Sequence, residues 1–459
     1  MDKAGALAAS LSYFENHLQE DVRRRVAWRT ESQDAAQGEA LRGYLTEELA
    51  PQLTGLGFTH ELLENPVAGG GPFLYAERHE ADGLPTLFTY GHGDVVRGYD
   101  DQWRAGLNPW RLEVEGDLWY GRGTADNKGQ HTINLAALAQ VIHAREGRLG
   151  FNVKCLYETG EERGSPGMRE LCQASKARFK ADVFIASDGP RLSAEQPTLF
   201  LGSRGGVLFR LSVNLREGGL HSGNWGGVMR NPAVMLANAI ASLVDKRGAI
   251  LCKDLLPEPM SPAVKQALAR LDLSGDRLGR PLDAEWGEPG LSAAERLFGW
   301  NSLEVLAFSA GNPQKPINAI PPSAFAVCQL RFVVGTRWRE LQAIVRAHLD
   351  AAGFPDVEVV VERGTAATRV DPDNEWVRFA QQAMEEAVDK EVAILPNLGG
   401  TLPNDIFSDV LGMPTIWVPH SYPGCAQHAP DEHMLASIAR EGMALMTSIF
   451  WNLGERERQ

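Results

Sequence analysis

His92 and Asp94 stand two residues apart in GHGDVV, Asp126 sits in GRGTADNKG, Glu161 and Glu162 are adjacent in GEERGSPG, Asp188 lies in SDGP and His428 in QHAPDEH. Singly, each has an ordinary explanation: a His–Asp pair, a helix cap, a charged turn, a turn aspartate, a surface histidine. Together they make two histidines and several carboxylates, and mixed nitrogen and oxygen ligands suit zinc, with manganese or cobalt as the other ions such a set accepts. Five ligands serve two ions if one carboxylate bridges, and ions about 3.5–4 Å apart share and acidify a water. The chemistry would be metal-assisted hydrolysis, and it needs one further carboxylate as general base. Glu161 is the spare one. In extended chain His92 and Asp94 share a face, so Asp94 can fix the tautomer of the imidazole.

These residues follow apolar runs that read as strands. TLFTYGHGDVV (86–96), FNVKCLYETG (151–160) and ADVFIASDGP (181–190) alternate with the helical stretches 128–144 and MRELCQAS. Strands alternating with helices predict an α/β fold with a mixed, largely parallel sheet flanked by helices, whose ligands gather at the C-terminal strand ends. Alternation past the end of 151–160 would point Glu161 and Glu162 in different directions. The middle of the chain changes pattern. Strand 207–215, helix 231–246, strands 302–310 and 323–334, a helix with Trp338, Leu341, Val345 and Leu349, and strand 357–362 give β-α-β-β-α-β, a ferredoxin-like α+β unit. The domains expected are therefore 1–204 with 369–459 for catalysis and metal binding, and an inserted 205–368. Helix 374–388 and strand 415–419 resume the first pattern. Residues 253–300, rich in Pro, Gly and charge, give the least readable pattern.

The chain has 459 residues, 44% of them hydrophobic, and a formal net charge of −14. That length supports more than one domain, and the negative charge argues against nucleic-acid or anionic-membrane partners. Five scattered cysteines without a CxxC pair, no basic and apolar leader and no long apolar run predict a reduced, cytoplasmic location. GRG lacks the spacing of a phosphate loop.

With HSGNWGG, NAIPP, RFVVG and GGTLPND added in order, the motifs over nearly the whole chain resemble the dinuclear zinc metallopeptidase family of carnosinases, carboxypeptidase G, acetylornithine deacetylase and succinyl-diaminopimelate desuccinylase. HSGNWGG and the long 246–300 segment are most similar to the carnosinase-like dipeptidase branch. The resemblance implies that His92 and Asp188 bind one ion, Glu162 and His428 the other, and Asp126 both, with a cis Asp126–Asn127 peptide. It implies Glu161 as base and then acid toward a metal-bridging hydroxide, and Asp94 as the residue that orients His92. His221 would reach the scissile carbonyl oxygen from a partner subunit. Arg331 and Asn318 would hold a substrate carboxylate, with Gly400 and Thr401 lining the pocket. The inserted domain would be a lid and dimerisation domain. The expected activity is hydrolysis of a peptide or amide bond in a small substrate, most simply a dipeptide with a free carboxylate, with two zinc ions and a homodimer. N-acyl-amino-acid deacylation is the alternative in the same chemistry, and a metal-free scaffold the alternative outside it.

Overall fold

The computed structural model describes residues 1–273 and 281–456. Part of the 253–300 stretch thus lies outside the described residues.

The strands Thr86–His92, Asn152–Glu158 and Val183–Ala186 are almost wholly buried, as expected of central strands covered on both faces. They form the middle of an eight-stranded sheet in the order Thr59–Leu63, Phe73–Arg78, Asn152–Glu158, Thr86–His92, Val183–Ala186, Thr415–Trp417, Thr198–Phe200, Ala393–Leu395. The pairs around Thr86–His92 are parallel, as is Val183–Ala186 with Thr415–Trp417, whereas Thr59–Leu63 and Phe73–Arg78 join antiparallel. Alternate residues feed opposite layers. Leu87, Val153 and Ile185 pack under the helices Lys128–Ala144, Glu375–Val388 and Ala436–Gly454. Phe88, Leu156 and Phe184 pack on the other face with Met168, Phe407 and Trp417. This is the predicted largely parallel, helix-flanked sheet.

The strands Gly205–Asn214, Ser302–Ala310, Ser323–Phe332 and Glu358–Thr365 form a separate antiparallel sheet with Ser302–Ala310 and Glu358–Thr365 at its edges. Val207, Phe209, Leu211 and Val213 alternate inward and meet the helices Pro232–Leu243 and Leu341–Ala351 in their own hydrophobic cluster. The strand order is that of a ferredoxin-like unit. Not everything between 205 and 368 packs with it. Met260, Val264, Leu268, Ala294 and Phe298 join the cluster beneath the eight-stranded sheet instead.

Candidate metal centre

Three parallel neighbours deliver side chains to one spot. His92 is the last residue of its strand and pairs with Glu158, the last of the next one, while Asp188 follows the end of Val183–Ala186 by two residues. Asp126 arrives on the turn before helix Lys128–Ala144, across a cis Asp126–Asn127 peptide. His428 comes from the loop after Thr415–Trp417.

The Asp126 carboxylate lies between two groups. Its Oδ1 is 2.9 Å from His92 Nε2, which in turn is 3.6 Å from Asp188 Oδ2. Its Oδ2 is 2.9 Å from His428 Nε2, which is 3.1 Å from Glu162 Oε2. The ligand atoms within each triad, His92–Asp126–Asp188 and Asp126–Glu162–His428, lie within 4.8 Å of one another. His92 Nε2, Glu162 Oε1 and Asp188 Oδ2 are buried without a hydrogen-bond partner. Buried polar atoms are rarely left so, and here all three converge on one place. Burial, then the charge of Asp126, pushes Glu162 up to about 7 and Asp188 up to about 6. Burial and the surrounding carboxylates push Glu161 well above the usual range, although His92 opposes this. Hydrogen bonds to Asp126 and Glu162 raise His428 to about 11. Burial opposes a proton on His92, but the neighbouring carboxylates of Asp126 and Asp94 outweigh it and raise its pKa well above the ordinary value. So much buried carboxylate calls for positive charge, and the donor set fits two divalent ions.

Glu161 lines the same cleft as Asp126, Asp188 and His428. The strand before it ends at Glu158, so strand alternation does not separate the two glutamates. Residues Glu161–Arg163 form one 3₁₀ turn, whose neighbouring side chains diverge for a different reason. Asp94 holds that turn: Oδ1 accepts from Glu161 N–H at 3.2 Å and Oδ2 from Glu162 N–H at 3.1 Å. Toward His92 Nδ1 the nearer acceptor is the Asp94 carbonyl oxygen at 3.0 Å, with the carboxylate at 3.4 Å. Asp94 therefore links His92 to both glutamates. Glycine is required at position 93 because a Cβ there would collide with the Tyr44 ring.

Beneath the centre, Asn127 Nδ2 donates to the Ser187 carbonyl at 2.8 Å, and Asn134 and His420 meet at the Ser187 hydroxyl. This buried polar face of helix Lys128–Ala144 ties the Asp126 turn to the chain that carries Asp188. Glu432, absent from the sequence reading, does most to fix that turn. Its Oε1 accepts from the N–H groups of Gly123, Ala125 and Asp126 at 3.0, 3.0 and 3.2 Å. Its Oε2 receives Arg122 Nη1 at 2.6 Å. The available signal was an arginine between two glycines in GRG, awaiting a buried acid. Gln427, also missed, bonds Asp126 Oδ2 from the His428 loop.

Gly400 and Thr401 line the cleft, and Arg331 Nη1 donates to Thr401 Oγ1 at 2.8 Å. His221 and Asn318 lie elsewhere. The short strand Leu220–His221 pairs with Ala319–Ile320, and both His221 and Asn318 are exposed, outside the residues that line the cleft.

A sheet of this order with two triads sharing one carboxylate defines a dinuclear metallohydrolase. Residues 88–452 match the model of peptidase family M20/M25/M40, and the chain belongs to that family. It is 26% identical over 357 residues to the cysteinylglycine-S-conjugate dipeptidase of Corynebacterium striatum, covering 75% of each chain. It is 35% identical over 208 residues to the Beta-Ala-His dipeptidase of Mus musculus, covering 44% of this chain and 42% of that protein. Among solved structures the dipeptidase Dug1p of Saccharomyces cerevisiae superposes with a TM-score of 0.76 at 20% identity, over 100% of this chain and 99% of that one. The chain is a metal-dependent hydrolase of peptide or amide bonds in small substrates. Among the described residues no helix is long and apolar enough to cross a membrane.

Proposed function

We propose that this enzyme is a dinuclear zinc dipeptidase acting on dipeptides with a free carboxylate. The observation that carries the reading is Asp126, whose two carboxylate oxygens each face a different histidine–carboxylate pair. His92 and Asp188 would hold one ion, Glu162 and His428 the other, and Asp126 both. Ions held there would polarise the scissile carbonyl and render a water acidic enough to attack it near neutral pH. The Glu161 carboxylate would take a proton from that water as the C–O bond forms and the carbonyl π bond opens, then return it to the amide nitrogen so that the C–N bond breaks and the amine leaves. Arg331, aligned by Thr401, holds the substrate carboxylate with its planar fork.

His221 acts from a second subunit, which its exposed position on this chain supports. The antiparallel unit serves as lid and dimer face: its edge strand Ser302–Ala310 exposes Val305, Leu306 and Phe308, an apolar edge that a second copy would cover. The five cysteines are buried and unpaired, in keeping with the cytoplasm. The test is metal analysis of the purified protein followed by rates on dipeptides and on N-acyl amino acids. About two ions per chain and faster dipeptide cleavage are expected. Activity that survives complete chelation would overturn the metal role, and a preference for N-acyl amino acids would overturn the substrate class.

A further inference from the structure

The cleft beside the metal centre encloses about 520 Å³ and has two unlike groups of lining residues. One comprises Asp126, Glu161, Asp188 and His428. The other comprises Leu192, Phe298, Leu395, Leu398 and Leu402, each less than 10% exposed. These five belong to one hydrophobic cluster, so their positions are set by the core behind them and not by the solvent in front. The charged group beside them, Arg191, is buried and spends its Nε on the Pro419 carbonyl and its Nη1 on Glu441, leaving only Nη2 without a partner. Thr401, the nearest hydroxyl of the wall, is engaged by Arg331 and donates to the Arg204 carbonyl.

Phe298 comes from the stretch whose sequence was hardest to read. It ends the short helix Ala293–Phe298, whose start is fixed by a reciprocal Ser292–Glu295 capping box. Arg204 then anchors the far end through the Leu297 carbonyl at 3.1 Å. With Met260, Val264 and Leu268 packed behind it, the segment wedges its aromatic ring into the wall of the cleft.

We infer that this apolar lining is a specificity subsite for one large aliphatic or aromatic side chain of the peptide substrate, with Phe298 as a specificity-determining residue. The inference rests on the dipeptidase reading and adds the substrate class. A polar side chain placed against these five apolar side chains would lose its water without gaining partners from them, whereas an apolar one gains by leaving water. The side chain can belong to either residue of a dipeptide, and isomeric substrates separate the two.

The experiment measures kcat/KM on Leu-Gly against Asn-Gly, and on Gly-Leu against Gly-Asn. These pairs match in size and differ in polarity. In one pair the leucine substrate should win by about 10-fold or more, within the range that a hydrophobic pocket can supply. The same ratio should fall in Phe298→Ala, or in the milder Phe298→Leu if the alanine variant does not fold. Ratios below about 10 in both pairs overturn the subsite, as does a folded Phe298 variant with an unchanged ratio. Failure to cleave any dipeptide would instead overturn the dipeptidase reading, so the two failures are distinct.

Discussion

Replacing Glu432 with glutamine tests how the centre is held. The Arg122 and Glu432 side chains are 0% and 1% exposed, and their ion pair measures 2.6 Å. Arg122 Nε and Nη2 are buried with no hydrogen-bond partner, so Glu432 is the main compensation for a charge taken fully out of water. Burial, with the charge of Asp126 adding to it, pushes the Glu432 carboxyl up against the pull of Arg122, which shows how expensive the location is for charge. Removing one partner of such a pair costs about 3–5 kcal/mol because the other charge is left stranded. Glu432→Gln keeps the shape and one acceptor for the N–H groups of Gly123, Ala125 and Asp126, but loses the charge that Arg122 needs. We expect urea unfolding of the chelator-treated protein to show a loss of about 3–5 kcal/mol. Working without metal keeps binding free energy out of the difference. The double variant Arg122→Met with Glu432→Gln should regain most of that stability, since no charge remains buried. Metal affinity should behave differently. The turn that presents Asp126 hangs on Glu432, so both the single and the double variant should bind metal about 10–100-fold more weakly. A single variant within about 1 kcal/mol of wild type, with unchanged metal affinity, would refute both the energetic and the positional argument.

Glu161→Gln should retain both ions and lose about 10²–10⁴-fold in kcat; Glu162→Gln should lose metal at one site, so metal content and turnover measured on the same samples separate base from ligand. Arg331→Lys should raise KM for dipeptides by about 10-fold or more, because the ammonium cannot reproduce the planar fork; an unchanged KM would remove Arg331 from the substrate. Buried Glu158, which accepts from Tyr90 and Ser165 hydroxyls, has its pKa raised by burial to about 7. A raised carboxyl pKa favours the folded state below the unfolded value and penalises it as pH rises to the folded one, so Glu158→Gln should match wild-type stability near pH 4 and exceed it by up to about 3 kcal/mol at pH 8. If the proposed dimer forms through the exposed strand edge, Leu306→Asp should convert it to monomers by light scattering, and should depress turnover with it if His221 acts across the interface.

Sequence made the central strands legible because each is a buried run bounded by glycines, as in Thr86–His92, and the antiparallel unit legible because Val207 to Val213 alternate cleanly. It did not reveal Thr198–Phe200 or Ala393–Leu395, three residues each, too short to carry a period. The strand Phe73–Arg78 was hidden differently: its last two residues, Glu77 and Arg78, are charged and intermediate in burial. Among site residues, ligands stood out because metal chemistry demands His, Asp and Glu in known motifs. Glu432 left only the arginine of GRG as a signal, since its other partners are three backbone N–H groups, and backbone donors leave no trace in residue types.

The adjacent glutamates show where pattern and structure part. Two neighbours serve different roles only if their side chains diverge, and strand alternation would achieve that by pointing them to opposite faces. Here the strand has already ended, and a 3₁₀ turn with three residues per turn separates neighbours by about 120°. Opposite faces would have carried one glutamate away from the centre. The turn instead leaves both facing it: Glu162 meets His428 at 3.1 Å, while Glu161 lines the cleft. A turn so short has little stability of its own, and the Asp94 carboxylate supplies it by accepting both N–H groups, one on each oxygen. Asp94→Asn would turn one of those acceptors into a donor facing an N–H. Asp94 therefore positions the proposed base and a proposed ligand together, and its loss should affect turnover and metal content at once, unlike that of Glu161 alone.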